Sequence, residues 1–191
     1  DENRAAIDSL IARAVDQNIV MCVAAGNSNG GGGIMDVEGN SYPADNLAVI
    51  TVSALKKKSG VSGADKISGG SVEFDSSYSY YGAKIDFSAP GTKIDSAWKN
   101  GGFRSDSGTS MAAPYVTAAA AYVRMAEPDL TNAQVLNRLI GYSVDLGDKG
   151  KDIYYGYGCP YMADYFADVY GSGDVDDVPA DCAVTGLTNV Q

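Results

Sequence analysis

Ser110 is the residue of this sequence whose type and setting best suit covalent chemistry. It stands in the small-residue stretch Gly108–Pro114 and is followed by an apolar run, 115–125, that predicts a helix. A hydroxyl in that place lies at a helix N-terminus, where free backbone N–H groups and the positive dipole end favour negative charge. The pattern therefore indicates a nucleophile. The alternative is that Ser110 only caps the helix, as serine does on many helices.

Asn27 offers a second polar group, at the end of a predicted strand. Residues 19–25 form a continuous apolar run of strand length, which is typical of a parallel strand covered on both faces. Ligand sites of such sheets lie beyond the carboxyl ends of the strands, where Asn27 falls. Its side-chain amide is a suitable donor to a carbonyl oxygen that becomes negatively charged during a reaction. An ordinary Gly-Asn turn is the simpler alternative.

The stretches Gly108–Pro114 and 23–27 (Val-Ala-Ala-Gly-Asn) resemble the corresponding motifs of the subtilisin-like serine proteases. The resemblance covers roughly residues 4–170 and implies that Ser110 is the nucleophile and Asn27 the oxyanion-hole donor. It also places Ser41 at the floor of the main specificity pocket, where a hydroxymethyl group would shorten the pocket. An exposed loop serine is the alternative for that position. The resemblance implies that one wall of the pocket is formed by three small residues, Ala24, Ala25 and Gly26.

Histidine is absent from the whole sequence. A serine nucleophile needs a neighbouring base, nearly always a histidine that a carboxylate orients. In subtilisin the chain order is Asp, His, Ser, so both missing groups would lie N-terminal to this chain. The resemblance therefore implies the C-terminal part of a serine endopeptidase domain that acts on polypeptide substrates. Alone, this part is predicted to be inactive and to need an N-terminal segment that carries the Asp and His.

Two other functions stay open at this point. A non-catalytic pseudoprotease or peptide-binding module would use the same groove without cleavage. A fragment would also leave one edge of the strand at 19–25 unpaired, and bare strand edges and apolar patches promote association. We therefore expect the chain either to self-associate through the edge near Val20, Cys22 and Ala24 or to pair with the N-terminal segment.

The composition limits the classes of partner that this chain is expected to bind. With 24 acidic and 14 basic residues the net charge is −10, which argues against binding nucleic acid or an anionic membrane surface. No apolar run reaches about 18 residues, so no membrane span is predicted. The family resemblance implies an extracellular or cell-surface protein whose chemistry needs no cofactor. No metal-ligand spacing is present, although structural calcium stays open, and so does the pairing of Cys159 with Cys182.

The order of predicted elements indicates an α/β fold. The resemblance implies three layers and a mostly parallel sheet, with the N-terminal part of the domain absent. Strands are predicted around 19–25, 49–52 and 85–88, and helices at 4–17, from Ser110 to about Ala126, and at 131–140. The second helix is apolar all round and is predicted to be buried on every side. Residues 56–77 are predicted as loops or a short hairpin, 1–170 as part of the peptidase domain and 171–191 as a tail or linker.

Overall fold

The computed structural model describes residues 2–28, 30–35, 41–61 and 67–171. These residues form four α-helices, which in chain order are α1 (Glu2–Asp16), α2 (Thr109–Ala126), α3 (Asn132–Gly141) and α4 (Met162–Tyr170). They also form eight strands, which in chain order are β1 (Cys22–Ala24), β2 (Ile50–Lys57), β3 (Val72–Phe74), β4 (Phe87–Pro90), β5 (Ile94–Trp98), β6 (Gly102–Asp106), β7 (Ser143–Val144) and β8 (Cys159–Pro160). The predicted tail, apart from Gly171, lies outside the described residues.

β2 is the central strand of the main sheet. β1 pairs with its first residues and β4 with residues 52–55, and both pairings are parallel. Val52 pairs with both neighbours, so β1 and β4 lie on opposite edges of β2. β3 runs antiparallel to the end of β2. Of the two alternatives predicted for residues 56–77, loops or a short hairpin, the hairpin is therefore the correct one. The predicted α/β fold with a mostly parallel sheet is therefore confirmed.

The two faces of β2 have different chemistry because side chains alternate along a strand. Ile50, Val52 and Ala54 belong to the main hydrophobic core, which also contains residues of α2. Thr51 and Ser53 point the other way and are fully buried. Their hydroxyls donate to the carbonyl oxygens of the segments that cover that face, at 2.6 and 2.7 Å respectively. Each face is thus sealed without leaving these hydroxyls unpaired.

α2 lies across one face of the sheet, in contact with β1, β2 and β4, and α3 packs against it. α3 begins as predicted at the N-cap Thr131, whose hydroxyl accepts from Gln134 N. The Gln134 side chain accepts in turn from Thr131 N, so the two residues form a capping box. Val135 and Leu139 on its inner face are fully buried.

α1 belongs to the opposite layer. Arg4 donates to Asp45 at 3.0 Å, and Asn46 donates to Asp8 at 2.6 Å, so the helix is tied to the turn at 41–46. The same turn accepts the hydrogen bond from Thr51 on the face of β2 opposite α2. Helix, sheet and helix therefore form the three predicted layers.

Two surfaces of these layers are left uncovered by the described residues. Ile11 is the only buried residue of α1, while Leu10 is 58% exposed. Tyr115, Tyr122 and Met125 are exposed on α2. The prediction that α2 is buried on every side is therefore wrong for this chain, because the described residues cover only one side of the helix.

Candidate active site

Ser110 lies in the first turn of α2 with its side chain exposed. The N-cap position is taken by Gly108, and the helix begins at Thr109. Ser110 is therefore not the cap of this helix, and the capping alternative does not fit. Its N–H is among the first backbone donors of the helix, which have no intrahelical acceptor. The positive end of the dipole of an 18-residue helix thus falls at an exposed hydroxyl.

Thr109 holds the side chain of Asn27 beside this turn. Its N–H and its hydroxyl both donate to Asn27 Oδ1, at 2.9 and 3.2 Å. The hydroxyl also accepts from Gly26 N at 3.1 Å, and Thr109 is fully buried. Because Oδ1 already has two donors, the Nδ2 amide group is the part of the Asn27 side chain that remains to donate. The end of β1 and the start of α2 are joined through one threonine.

Asn27 Nδ2 and the N–H of Ser110 border the same small space beside Gly108. A Cβ atom on Gly108 would lie 3.5 Å from Asn27 Nδ2 and 3.7 Å from Ser110 N. Met111 Sδ lies 3.5 Å from the same position. Two N–H donors close together are the arrangement that binds a developing oxyanion, so Asn27 Nδ2 and Ser110 N–H are the candidate oxyanion donors.

Gly91 allows the nucleophile turn to lie directly against the sheet. Its N–H donates to Leu55 O at 2.9 Å, and its carbonyl accepts from Gly108 N at 2.8 Å. A Cβ on Gly91 would lie 2.7 Å from Ala54 Cβ and 2.9 Å from Gly108 O. Any side chain there would push the turn away from the sheet, so the position of Ser110 depends on this glycine.

Gly26, the last of the small residues before Asn27, packs closely against Ser41 and Tyr80. A Cβ on Gly26 would lie 3.3 Å from Ser41 Oγ and 3.0 Å from Tyr80 Cδ2, and the other edge of the Tyr80 ring lies against Gly33. Ser41 Oγ is buried and has no hydrogen-bond partner among the described residues. Ala25 is fully buried, whereas Ala24 and Gly26 are half-buried.

The general base is missing from this constellation. No histidine occurs in the sequence, so the chain holds a candidate nucleophile and two candidate oxyanion donors without an imidazole. A serine hydroxyl is a weak nucleophile until such a base accepts its proton. The described residues alone therefore form an incomplete acyl-transfer site.

The remaining predicted features concern metals, membranes and cysteines. Residues 2–28, 30–35, 41–61 and 67–171 contain no group of three or more His, Cys, Asp and Glu side chains placed to hold a metal ion. In the same ranges, no helix combines the length and apolar character that crossing a membrane requires. The acidic stretch 174–177 and Cys182 lie outside the described residues, so the structure does not address calcium binding there or the pairing of Cys159.

Sequence reasoning assigned no role to Thr109, Tyr78 or Tyr80, although each contacts the site. Thr109 stands inside the motif that identified Ser110, but its contact with Asn27 joins segments far apart in the sequence. Tyr78 and Tyr80 lie in an aromatic run before Gly82 that has no periodicity of its own. Their clustering just before the predicted strand at 85–88 was the available signal, but it does not show which segment the two side chains contact.

The fold and this arrangement describe an α/β protein whose exposed serine opens a long helix beside a strand-end asparagine. A model of the Subtilase family matches residues 1–158. The chain belongs to the subtilase family, as its motifs predict.

Individual relatives agree with the family match. The chain is 34% identical over 153 residues to subtilisin from Bacillus pumilus, which covers 80% of this chain and 48% of that protein. It is 40% identical over 136 residues to subtilisin-like protease 1 from Trichophyton verrucosum, covering 70% of this chain and 28% of that protein. Among solved structures, sphericase superposes with a TM-score of 0.65 at 27% identity, covering 82% of this chain and 52% of that chain. The chain thus spans about half the length of these solved and curated relatives, or less.

Proposed function

We propose that this chain is the nucleophile-bearing part of a subtilisin-like serine endopeptidase that hydrolyses peptide bonds in polypeptides. Ser110 is the nucleophile, and Asn27 Nδ2 and Ser110 N–H are the oxyanion donors. The observation that carries the proposal is the pair of hydrogen bonds from Thr109 to Asn27 Oδ1, which holds Asn27 Nδ2 beside Gly108 and near the Ser110 N–H. A serine that only capped a helix would need none of these contacts.

The chemistry requires a histidine and an aspartate from a segment N-terminal to this chain. Ser110 Oγ attacks the carbonyl carbon of the scissile peptide bond while its proton passes to the histidine. The carbonyl oxygen becomes an oxyanion that accepts from the two N–H donors. The histidine then protonates the leaving amine, and water releases the acyl group from Ser110 by the reverse proton path. Removing one oxyanion donor costs about 10²–10³ in kcat, a magnitude measured on subtilisin.

β1 offers that segment a place to bind. Ile50 N donates to Met21 O, and Ala25 N donates to Val52 O, at 2.8 and 2.9 Å. The alternation of a parallel ladder therefore turns the backbone groups of residues 20, 22 and 24 to the other edge, where no described strand pairs. The large side chains of Tyr122 and Met125 are exposed on α2, the helix that crosses this strand. Self-association through the same edge is the competing outcome for the isolated chain.

We place the main specificity pocket at residues 24–26, as the family resemblance implies. Ser41 and the ring of Tyr80 pack closely against Gly26 and would limit the depth of that pocket. A pocket limited in this way favours small substrate side chains. Ser41→Gly should deepen the pocket and shift cleavage towards larger apolar residues.

The setting of the whole protein is proposed from its relatives. One relative, 32% identical over 148 residues, is named minor extracellular protease Epr from Bacillus subtilis. We infer an extracellular or cell-surface protein that uses no cofactor in catalysis and binds neither nucleic acid nor membranes, in agreement with its net charge of −10. Structural calcium remains compatible with this function.

The decisive experiment measures hydrolysis of a fluorogenic peptide by this chain alone and by the chain extended upstream to include the missing segment. We expect no turnover from the chain alone, since loss of the base in subtilisin lowers kcat by about 10⁶, a magnitude measured on that enzyme. The extended protein should cleave, and Ser110→Ala should abolish cleavage. Ser105→Ala, an exposed serine on β6, is the matched control. Peptide binding without cleavage by the extended protein would instead support the pseudoprotease.

Amide hydrogen exchange tests the proposed strand addition. In the isolated chain, the amides of Cys22 and Ala24 should exchange much faster than those of Val23 and Ala25, which face β2. The extended protein should protect all four amides. Protection of Cys22 and Ala24 in a solution that light scattering shows to be monomeric would contradict an open edge.

A further inference from the structure

A chain of side-chain hydrogen bonds leads from a buried carboxylate to the nucleophile turn. Asp75 is 2% exposed. Its Oδ1 accepts from the N–H and the hydroxyl of Ser77, at 3.1 and 2.5 Å, and its Oδ2 accepts from Thr92 Oγ1 at 2.6 Å. Lys56 Nζ lies 3.8 Å from Oδ1. Oδ1 thus stabilises the turn at residues 75–77, while Oδ2 binds Thr92, which follows β4.

The hydroxyl of Thr92 orients the hydroxyl of Tyr78. Thr92 has a single hydroxyl proton, which Asp75 accepts, so Thr92 Oγ1 can only accept from Tyr78 at their separation of 2.8 Å. Tyr78 Oη also lies 3.0 Å from the carbonyl oxygen of Gly91. Its single proton is therefore directed at Thr92 and Gly91 together. Burial raises the pKa of the Tyr78 hydroxyl, which keeps it protonated as a donor.

Tyr78 touches the segments that carry both halves of the site. The Gly91 carbonyl that it approaches also accepts from Gly108 N, two residues before Ser110. On the other side, the backbone carbonyl of Tyr78 accepts from Ser28 N at 2.9 Å, next to Asn27. Gly91 has no room to shift without moving the turn, since a Cβ there would lie 2.9 Å from Gly108 O.

We infer that Tyr78, oriented by Thr92 and Asp75, is a positioning residue that sets the place of Gly108 and therefore of the Ser110 N–H and hydroxyl. The catalytic part of this inference rests on the proposed function. A phenylalanine would fill the same volume, so a residue needed only for packing would not require the hydroxyl. The hydroxyl contributes by fixing the Gly91 carbonyl, the acceptor on which the nucleophile turn rests.

The test compares Tyr78→Phe with Tyr165→Phe. Tyr165 is also buried and its hydroxyl donates to Glu127, but it lies on α4, away from the turn. In the 191-residue chain, Tyr78→Phe should speed exchange of the Gly108 amide about five- to tenfold and shift the Gly108 and Ser110 amide resonances, as expected for one lost hydrogen bond. Tyr165→Phe should leave them in place. Thr92→Val removes the link to Asp75 but leaves Gly91 O as an acceptor for Tyr78, so it should shift the same resonances less than Tyr78→Phe does. Thr92→Ser, which keeps the hydroxyl, should retain wild-type values.

The catalytic readout uses the upstream-extended protein. Tyr78→Phe should lower kcat about tenfold with KM within twofold of wild type, because a misplaced oxyanion donor acts on the transition state. Unchanged Gly108 exchange in Tyr78→Phe, or equal effects in Tyr165→Phe, would overturn the positioning role. Shifted amides with unchanged kcat would overturn its catalytic part while leaving the proposed function intact. An extended protein without any turnover would overturn the proposed function, and the amide measurements would still decide the positioning of the turn.

Discussion

The two ends of β1 differ sharply in how they are held. At its carboxyl end, Asn27 is fixed by the backbone and the hydroxyl of Thr109, and the turn before Ser110 is bonded to Gly91. At its amino end, the strand is preceded by α1, which exposes apolar side chains, and the outer edge of the strand is unpaired among the described residues. The half of the site that this chain carries is thus organised, while the surfaces beside it are not covered.

This difference separates contacts that the described residues complete among themselves from surfaces that they leave uncovered. The hydrogen bonds around Ser110 connect β1, β4 and α2, and all three elements share the buried core. The exposed stripe on α2 and the outer face of α1 have no comparable partner in the described residues. We therefore expect substitutions at the site and core to act in the isolated chain, and substitutions on the uncovered face to act only when the N-terminal segment is present.

The largest expected effect contrasts two leucines. Leu139 on α3 is fully buried, whereas Leu10 on α1 is 58% exposed. Leu139→Ala should lower the free energy of unfolding by about 2–5 kcal/mol through lost burial and a cavity, and Leu10→Ala by less than about 0.5 kcal/mol. Urea unfolding of both variants measures the difference. An equal loss in Leu10→Ala would show that the outer face of α1 is covered, by self-association or otherwise.

The next effect concerns Asp75 and depends on pH. Burial alone would raise the pKa of its carboxyl, but hydrogen bonds from Ser77 and Thr92 and the charge of Lys56 outweigh it, so the pKa is lowered. A lowered folded-state pKa stabilises the protein above the unfolded value, about 3.9, and this contribution is lost as pH falls through the folded value. Asp75→Asn should therefore cost about 1.5–3 kcal/mol at pH 7.

The same variant should approach the wild type in stability once the pH lies below the lowered pKa. Unfolding titrations from pH 7 down to below the unfolded-state pKa of about 3.9 measure the convergence as it develops. A stability difference that stays constant over this range would mean that the charge of Asp75 contributes nothing and that only its shape matters.

A smaller effect is expected at Thr109, which holds the side chain of Asn27. Thr109→Val keeps the shape but removes the hydroxyl that accepts from Gly26 N and donates to Asn27 Oδ1. We expect a loss of about 1–2 kcal/mol and altered resonances of the Asn27 side-chain amide, since one buried N–H loses its acceptor. Ser143→Ala is the control, because the Ser143 hydroxyl donates to Leu139 O on α3, away from Asn27. Unaltered Asn27 resonances would show that the backbone of Thr109 suffices.

The sequence predicted the elements of this comparison better than the contacts between them. The periodicity of α1, the N-cap of α3 and the apolar run of β1 are local patterns, and each predicts its element. The motif around Ser110 and the strand end at Asn27 gave two candidate residues through resemblance.

The contacts that hold the site join residues distant in sequence. They are the hydrogen bonds from Thr109 to Asn27, the packing of the Tyr80 ring against Gly26, and the hydrogen bonds that link Asp75 through Thr92 to Tyr78. Such contacts depend on strand order and register, which no local pattern encodes. The expected burial of α2 on every side failed because composition records the need for covering elements but not which chain supplies them.

The smallest expected effect distinguishes two buried serine hydroxyls. Ser53 Oγ donates to Tyr154 O at 2.7 Å, so Ser53→Ala should cost about 1 kcal/mol. Ser41 Oγ is buried beside Gly26 without a partner among the described residues, so Ser41→Ala should be neutral or slightly stabilising, by less than about 1 kcal/mol. Thermal and urea unfolding of the two variants measure the contrast. A loss in Ser41→Ala as large as that in Ser53→Ala would mean that Ser41 already has a partner in the free protein. A neutral result would show that the Ser41 hydroxyl contributes no hydrogen bond to the stability of the free chain.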